Sequence, residues 1–238
     1  MRLRELVESK SKFVTVNKRL NPRIWTDGKL DPAVRSKLLE IAQAFEDFIG
    51  VDLPVEDYTV TGSNANYTWT EHSDLDLHII IPGVPTEAAR ELYSAKKALW
   101  GEQHDITIKG LPVEVYVQGS DEPHHSTGVY SLSKQRWLVE PKKVEPKIDD
   151  AAVRAKVEDL VHSVRTALGS DDLDKLRGVK DRVTKMRKAG LERAGEWSIE
   201  NLSFKTLRNL GLIDDLAERI RELEDQELSL EHQQNILD

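Results

Sequence analysis

The chain has no cysteine, which excludes a disulfide framework and a thiolate metal site. It has no surplus of basic charge. Lys and Arg number 34 against 42 Asp and Glu, a formal net charge of −8. A generic polyanion binder is excluded on that balance, so any contact with nucleic acid has to come from a local basic patch. No apolar run approaches the roughly 20 residues of a membrane span. The first residues, MRLRELVESKSKF, are charged throughout and hold no apolar signal region. The last two absences point to a soluble cytoplasmic protein; the lack of cysteine does not fix the compartment. At 238 residues the chain forms one large domain or two modest ones, with enough length to bury a real core.

What is present centres on Tyr58 to Ile81, YTVTGSNANYTWTEHSDLDLHIII. An apolar, β-branched run (Thr59, Val60, Thr61) breaks at Gly62-Ser63. A polar loop follows, and a second strand carries Asp74 and Asp76 in alternation with Leu75, Leu77 and Ile79. Residues two apart on a strand share a face. Asp74 and Asp76 therefore project together, with His78 on the same side, while the leucines face the other way. Two adjacent carboxylates repel unless a cation lies between them. Mg²⁺ or Mn²⁺ prefers such oxygen ligands.

Around this stretch the pattern alternates helix and strand. Asp31-Pro32 reads as N-cap and first position of a helix. Val34, Leu38, Ile41, Ala42, Phe45 and Ile49 recur at helical spacing, and Gly50 stops it. Asn21-Pro22 and Asp27-Gly28 are turn signals in an otherwise unreadable first thirty residues, where Met1 to Glu8 has helical character. A helix is expected from Thr86 to Trp100, with Ala89, Leu92, Ala95 and Leu99 inward. A hairpin is expected over Ile106–Ile108 and Leu111–Val117 about Lys109-Gly110. It places Glu114 on an alternating strand. Gly119 to Pro146 shows little regular pattern. From Asp149 the periodicity is helical: Val153 to Leu168, Asp172 to Ala189, Ser198 to about Leu210, and Asp214 to about Leu230. The expected fold class is α+β, a mixed sheet with packed helices followed by a C-terminal helical domain. The division is 1–147 and 148–238.

Gly62-Ser63, ten residues, then Asp74-Leu75-Asp76-Leu77, with Glu114 on a later strand, resembles the signature of the DNA polymerase β-like nucleotidyltransferase superfamily. Three further segments resemble predicted nucleotidyltransferases of tailed bacteriophages: Gly62 to Trp69, Glu122 to Leu132 and Glu196 to Ile213. The resemblance implies a phage origin and a host-cytoplasmic setting. It also implies transfer of a nucleoside monophosphate from an NTP to an acceptor hydroxyl, on an RNA 3′ end, a nucleotide, a small molecule or a protein. Two Mg²⁺ or Mn²⁺ ions about 3.5–4 Å apart would serve such a reaction. By the resemblance Asp74, Asp76 and Glu114 are the catalytic and metal-binding residues, and Glu114 helps draw off the acceptor proton. Gly62 and Ser63 hold the β/γ-phosphates. A Lys or Arg of the helical domain touches the triphosphate in this superfamily. Lys205 and Arg208, three apart on one face, are nominated ahead of the basic helix 172–189.

The chain departs from its relatives in two ways. The Gly-Ser loop lacks the basic residue that many minimal nucleotidyltransferases carry just after it. An aromatic, Arg-rich recognition domain of a tRNA-end enzyme is also missing. Second-messenger synthases share the Gly-Ser and aspartate words but are usually longer. The competing reading is a non-catalytic nucleotide- or partner-binding module of the same fold, antitoxin-like or virion-associated. Tyr67 and Trp69 offer either a stacking surface for a base or a loop anchor. The basic helix is either a phosphate-facing surface or a solvated face paired with acidic neighbours. His124-His125 has the look of a metal pair, with no third ligand spaced for it.

Overall fold

The computed structural model describes residues 16–71, 73–122, 127–144 and 147–229. The helical pattern of Met1 to Glu8 and the His124-His125 pair lie outside the described residues. Within them the chain divides into two compact units, residues 16–144 and 147–229.

The first unit opens with a small hairpin, β1 (Trp25–Thr26) and β2 (Lys29–Leu30), turning on Asp27-Gly28. Helix α1 (Pro32–Ile49) follows. The Asp31 carboxylate accepts from the backbone N–H groups of Ala33 and Val34, and Pro32 needs no donor in the first turn. Its buried stripe is the expected Val34, Leu38, Ile41, Ala42, Phe45 and Ile49. Then come β3 (Asp57–Thr61), β4 (Leu75–Ile81), α2 (Glu87–Gln103), β5 (Thr107–Ile108), β6 (Leu111–Gly119), β7 (Val129–Ser131) and β8 (Arg136–Val139). Strands β3 to β8 form one mixed sheet in the order β5-β6-β4-β3-β7-β8. Only β4 and β6 are parallel. Parallel neighbours cannot be joined by a hairpin, so α2 makes the crossover between them. Leu75, Leu77 and Ile79 are fully buried and join α1 and Trp100 in one core.

Two expectations need correction in this unit. The inward side of α2 is not the Leu92/Leu99 stripe: Leu92 is 39% and Leu99 43% exposed. The side turned in holds Ala89, Tyr93, Lys96, Lys97 and Trp100. Trp100 packs edge-on to Phe45 and Phe48. Lys96 donates to the Phe48 carbonyl at 3.0 Å. Lysines bury their stems and direct the ammonium to a polar partner, so a stripe with two of them does not read as apolar. The second correction is Gly119 to Pro146, which supplies β7 and β8. These short strands are held by an aromatic cluster. Trp137 stacks on Trp25 at 4.7 Å, Tyr130 stands edge-on to both, and Trp137 Nε1 donates to the Gly28 carbonyl. Strands of three and four residues give too little alternation to be seen.

The second unit is four helices: α3 (Asp150–Leu168), α4 (Leu173–Ala194), α5 (Ile199–Asn209) and α6 (Leu212–Leu228). Asp149, Asp172 and Ser198 cap the first three by accepting backbone N–H groups. Helix α4 runs five residues beyond the expected Ala189. Gly190 lies inside it, buried, where an added Cβ would come within 2.6 Å of Glu200 Cβ. That glycine is a close-crossing point rather than a stop. Helix α6 starts two residues earlier than expected, at Leu212. Its Leu216, Ile220 and Leu223 pack with Ala167, Leu173 and Leu176. The basic helix is in part paired: Arg177 with Glu224 at 2.7 Å, Arg193 with Glu200 at 2.7 Å, and Arg187 over the Phe204 ring at 4.4 Å.

Candidate active site

The register of the sheet brings the acidic residues together. Asp76 on β4 is the direct partner of Glu114 on β6 and of Thr61 on β3. Asp74, just before β4, and Asp76 are half-buried, while Ser73, Leu75 and Leu77 are buried. The two aspartates therefore share a face, as alternation requires. Glu114 lies within hydrogen-bonding reach of Asp74. His78 and Tyr116 continue the same face, stacked at 4.8 Å, and His78 Nδ1 meets Gln118 Oε1 at 2.6 Å.

Glu114 is held from two sides. Lys97 Nζ donates to its Oε2 at 2.7 Å, and the Tyr116 hydroxyl donates to the same oxygen. The Lys97 ammonium also stands 3.5 Å from the centre of the Tyr116 ring. Burial pushes the Glu114 carboxyl up, but the Lys97 and Tyr116 hydrogen bonds outweigh it and bring it down to about 2. Burial and the bond to Glu114, with the negative charge of Asp76, push the Tyr116 phenol far above its ordinary range.

The turn before the aspartates is fixed by Gly62 and Asn64. Gly62 has φ +72° and ψ −161°, a backbone region essentially confined to glycine. A Cβ there would fall 1.7 Å from Asp76 Oδ2. The turn and the aspartate strand are thus in direct contact, and only a glycine permits it. Asn64 is fully buried. Its amide donates to the Ser73 and Asp74 carbonyls, at 3.1 and 2.8 Å. Its oxygen accepts from Asn21 Nδ2 at 2.7 Å, and its own carbonyl accepts from Trp25 Nε1 at 2.6 Å. The Ser63 hydroxyl donates to Ser73 Oγ at 2.8 Å, and the Thr70 N–H donates to the same atom at 2.9 Å. Trp69 is a loop anchor, its Nε1 bonded to the Arg19 carbonyl at 2.9 Å.

The remaining nominated residues belong to the helical unit. Lys205 and Arg208 are both on α5, Lys205 half-buried and Arg208 exposed. Burial raises the Glu196 carboxyl, and the charge of Lys205 partly offsets this.

No three His, Asp or Glu side chains among the described residues are gathered closely enough to hold a metal ion as they stand. The donor chemistry nonetheless fits a hard divalent cation. Carboxylate oxygens come from two hydrogen-bonded strands, and one oxygen of Glu114 is taken by Lys97 and Tyr116.

Sequence reasoning missed Asn64, Lys97 and Tyr116. Tyr116 was within reach, since it is two residues from Glu114 and shares its face. Lys97 was visible only as a lysine four residues from Tyr93 and three from Trp100. Asn64 gave no signal.

No curated protein matches this chain in sequence. Among solved structures, a STING-associated CdnE c-di-GMP synthase from Capnocytophaga granulosa is 10% identical. The match covers 83% of this chain and 84% of that one at a TM-score of 0.22. A CdnE cyclic dinucleotide synthase from Elizabethkingia meningoseptica, solved with GTP and Apcpp, is 12% identical. It covers 95% and 86% at a TM-score of 0.27. At these TM-scores neither likeness bears on substrate or mechanism. The model of the nucleotidyltransferase domain matches residues 37–168, over half of the 238-residue chain, and takes in the Gly-Ser turn, both aspartates and Glu114. By that match the chain belongs to the nucleotidyltransferase domain family, within the DNA polymerase β-like superfamily.

Proposed function

We propose that this nucleotidyltransferase moves a nucleoside monophosphate from an NTP to an acceptor hydroxyl. The reaction depends on divalent metal at Asp74, Asp76 and Glu114. The observation that carries the reading is the pairing of Asp76 with Glu114 across parallel strands, beside Asp74 and against Gly62. In the reaction the acceptor oxygen bonds to the α-phosphorus. The bond from that phosphorus to the β-bridging oxygen breaks, and pyrophosphate leaves with the electron pair. A bound pair of Mg²⁺ or Mn²⁺ ions would supply charge for the attacking and leaving oxygens.

The chain's own residues bind and orient. Asp74 and Asp76 present oxygens from one strand face, and Glu114 presents its own from the next strand. Glu114, which accepts from Lys97 and Tyr116, would serve as a ligand and help draw off the acceptor proton. Gly62 lets the backbone approach the β/γ-phosphates closely, and backbone N–H groups after it supply donors. The Ser63 hydroxyl has to leave Ser73 before it can donate to a phosphate. Lys205 and Arg208 supply positive charge from the helical unit, on a chain divided into catalytic and helical parts near residue 147. The three phage-like segments support a phage protein working in the host cytoplasm. No helix among the described residues is long and apolar enough to cross a membrane.

The test is turnover of each α-labelled NTP with Mg²⁺ or Mn²⁺, with and without total RNA, for wild type and Asp74→Ala/Asp76→Ala. Label transfer or pyrophosphate release that the double variant loses is expected, and the labelled product identifies the acceptor. Turnover that survives the double variant would overturn the reading. Metal-dependent NTP binding without turnover under every acceptor tried would favour the non-catalytic module.

A further inference from the structure

Lys97 is out of place for an ordinary surface lysine. It lies on the inward side of α2, between Tyr93 and Trp100, with its side chain 32% exposed. Immobilising a lysine there costs side-chain entropy and partial desolvation. The return is a single contact set: Glu114 Oε2 at 2.7 Å and the Tyr116 ring at 3.5 Å. That set meets a need. Glu114 is within reach of Asp74 and is the register partner of Asp76. Like charges so placed do not stay ionised together without a neighbouring cation.

Resting on the nucleotidyltransferase reading of the site, we propose that Lys97 is a built-in counter-cation of the Asp74–Asp76–Glu114 group. It competes with divalent metal for Glu114. Lys97 holds Oε2 of Glu114, and the acidic residues among those described are not gathered into a metal-holding set. A divalent ion brings twice the charge to the same oxygens. The ammonium then leaves Glu114 on its flexible stem. The device holds the acidic face together without metal and sets a threshold for taking metal up.

The test uses the full chain without nucleotide. Mn²⁺ affinity is measured by calorimetry, and thermal unfolding is followed with and without saturating Mn²⁺. Wild type, Lys97→Met, Lys97→Arg and Asp76→Asn are compared. Lys97→Met is expected to bind Mn²⁺ on the order of tenfold more tightly, because a repelling charge a few ångströms away is gone. Its melting temperature should fall below wild type without metal and return to wild type with it. Lys97→Arg should resemble wild type. Asp76-dependent binding that Lys97→Met leaves unchanged or weakens overturns this inference alone. Mn²⁺ binding indifferent to Asp76→Asn overturns the metal-site reading and this inference with it. If Lys97→Met does not fold, Lys97→Gln removes the charge and keeps a donor, and the same outcomes apply.

Discussion

Two buried polar residues do different work. Asn64 fastens the Gly-Ser turn to the backbone of Ser73 and Asp74, so its removal should cost both stability and alignment of the aspartates. Asn64→Ala is expected to lose about 2–4 kcal/mol in urea unfolding, since two carbonyls and an amide lose their partner. Its NTP turnover should fall further than the loss of folded protein explains. Asp57 works far from the chemistry. It pairs with Ile80, while Thr61 pairs with Asp76. Its carboxylate accepts from Ser131 Oγ at 2.8 Å and from the Tyr58 N–H at 2.8 Å, with Lys134 at 3.6 Å. Burial pushes its carboxyl up, but the serine bonds, backbone bond and Lys134 outweigh this and hold it below the ordinary 3.8. A depressed carboxyl stabilises the fold above its unfolded value and ceases to do so as pH falls through the folded one. Wild type should therefore lose stability below about pH 3.8 more steeply than Asp57→Asn, which can be read from unfolding midpoints across pH 2–6.

Helix α1 and helix α2 show how far pattern alone carries. Helix α1 was fully legible, because one apolar stripe, one Asp-Pro start and one Gly stop all agree. Helix α2 offers two stripes, and the more apolar one is exposed. Leu92→Gln and Leu99→Gln should each change stability by no more than about 0.5 kcal/mol. Trp100→Ala, which removes an indole packed on Phe45 and Phe48, should cost about 3–5 kcal/mol by the same unfolding assay. The preference for Leu over Lys at inward positions is right on average. It fails here because Lys97 has Glu114 to meet, and that partner lies eleven residues beyond the end of the helix, on β6. Strands β7 and β8 were hidden for a related reason. What places them is the Trp25–Tyr130–Trp137 cluster, whose members are more than a hundred residues apart in sequence from first to last.

Across the molecule the charge is uneven. The chain as a whole is acidic by eight, yet Lys180, Arg182, Lys185 and Lys188 are exposed on one helix. Retention on immobilised heparin is expected to be weak, to fall steeply with salt, and to vanish when those four become Ala. Retention that survives the substitution would place the polyanion surface elsewhere.

Alternation and cap chemistry were enough for the fold class and for the shared face of Asp74 and Asp76, and the resemblance carried by Gly62-Ser63 and Asp74-x-Asp76 was enough for the family. These depend on neighbours in sequence, where the strand period and the cap chemistry act. Folding alone brought Glu114 beside Asp76, put Lys97 on Glu114 and locked Asn64 under the turn. Each of these is a contact between residues far apart in the chain. Its energy comes from burial and hydrogen bonding that exist only once the sheet has set its register.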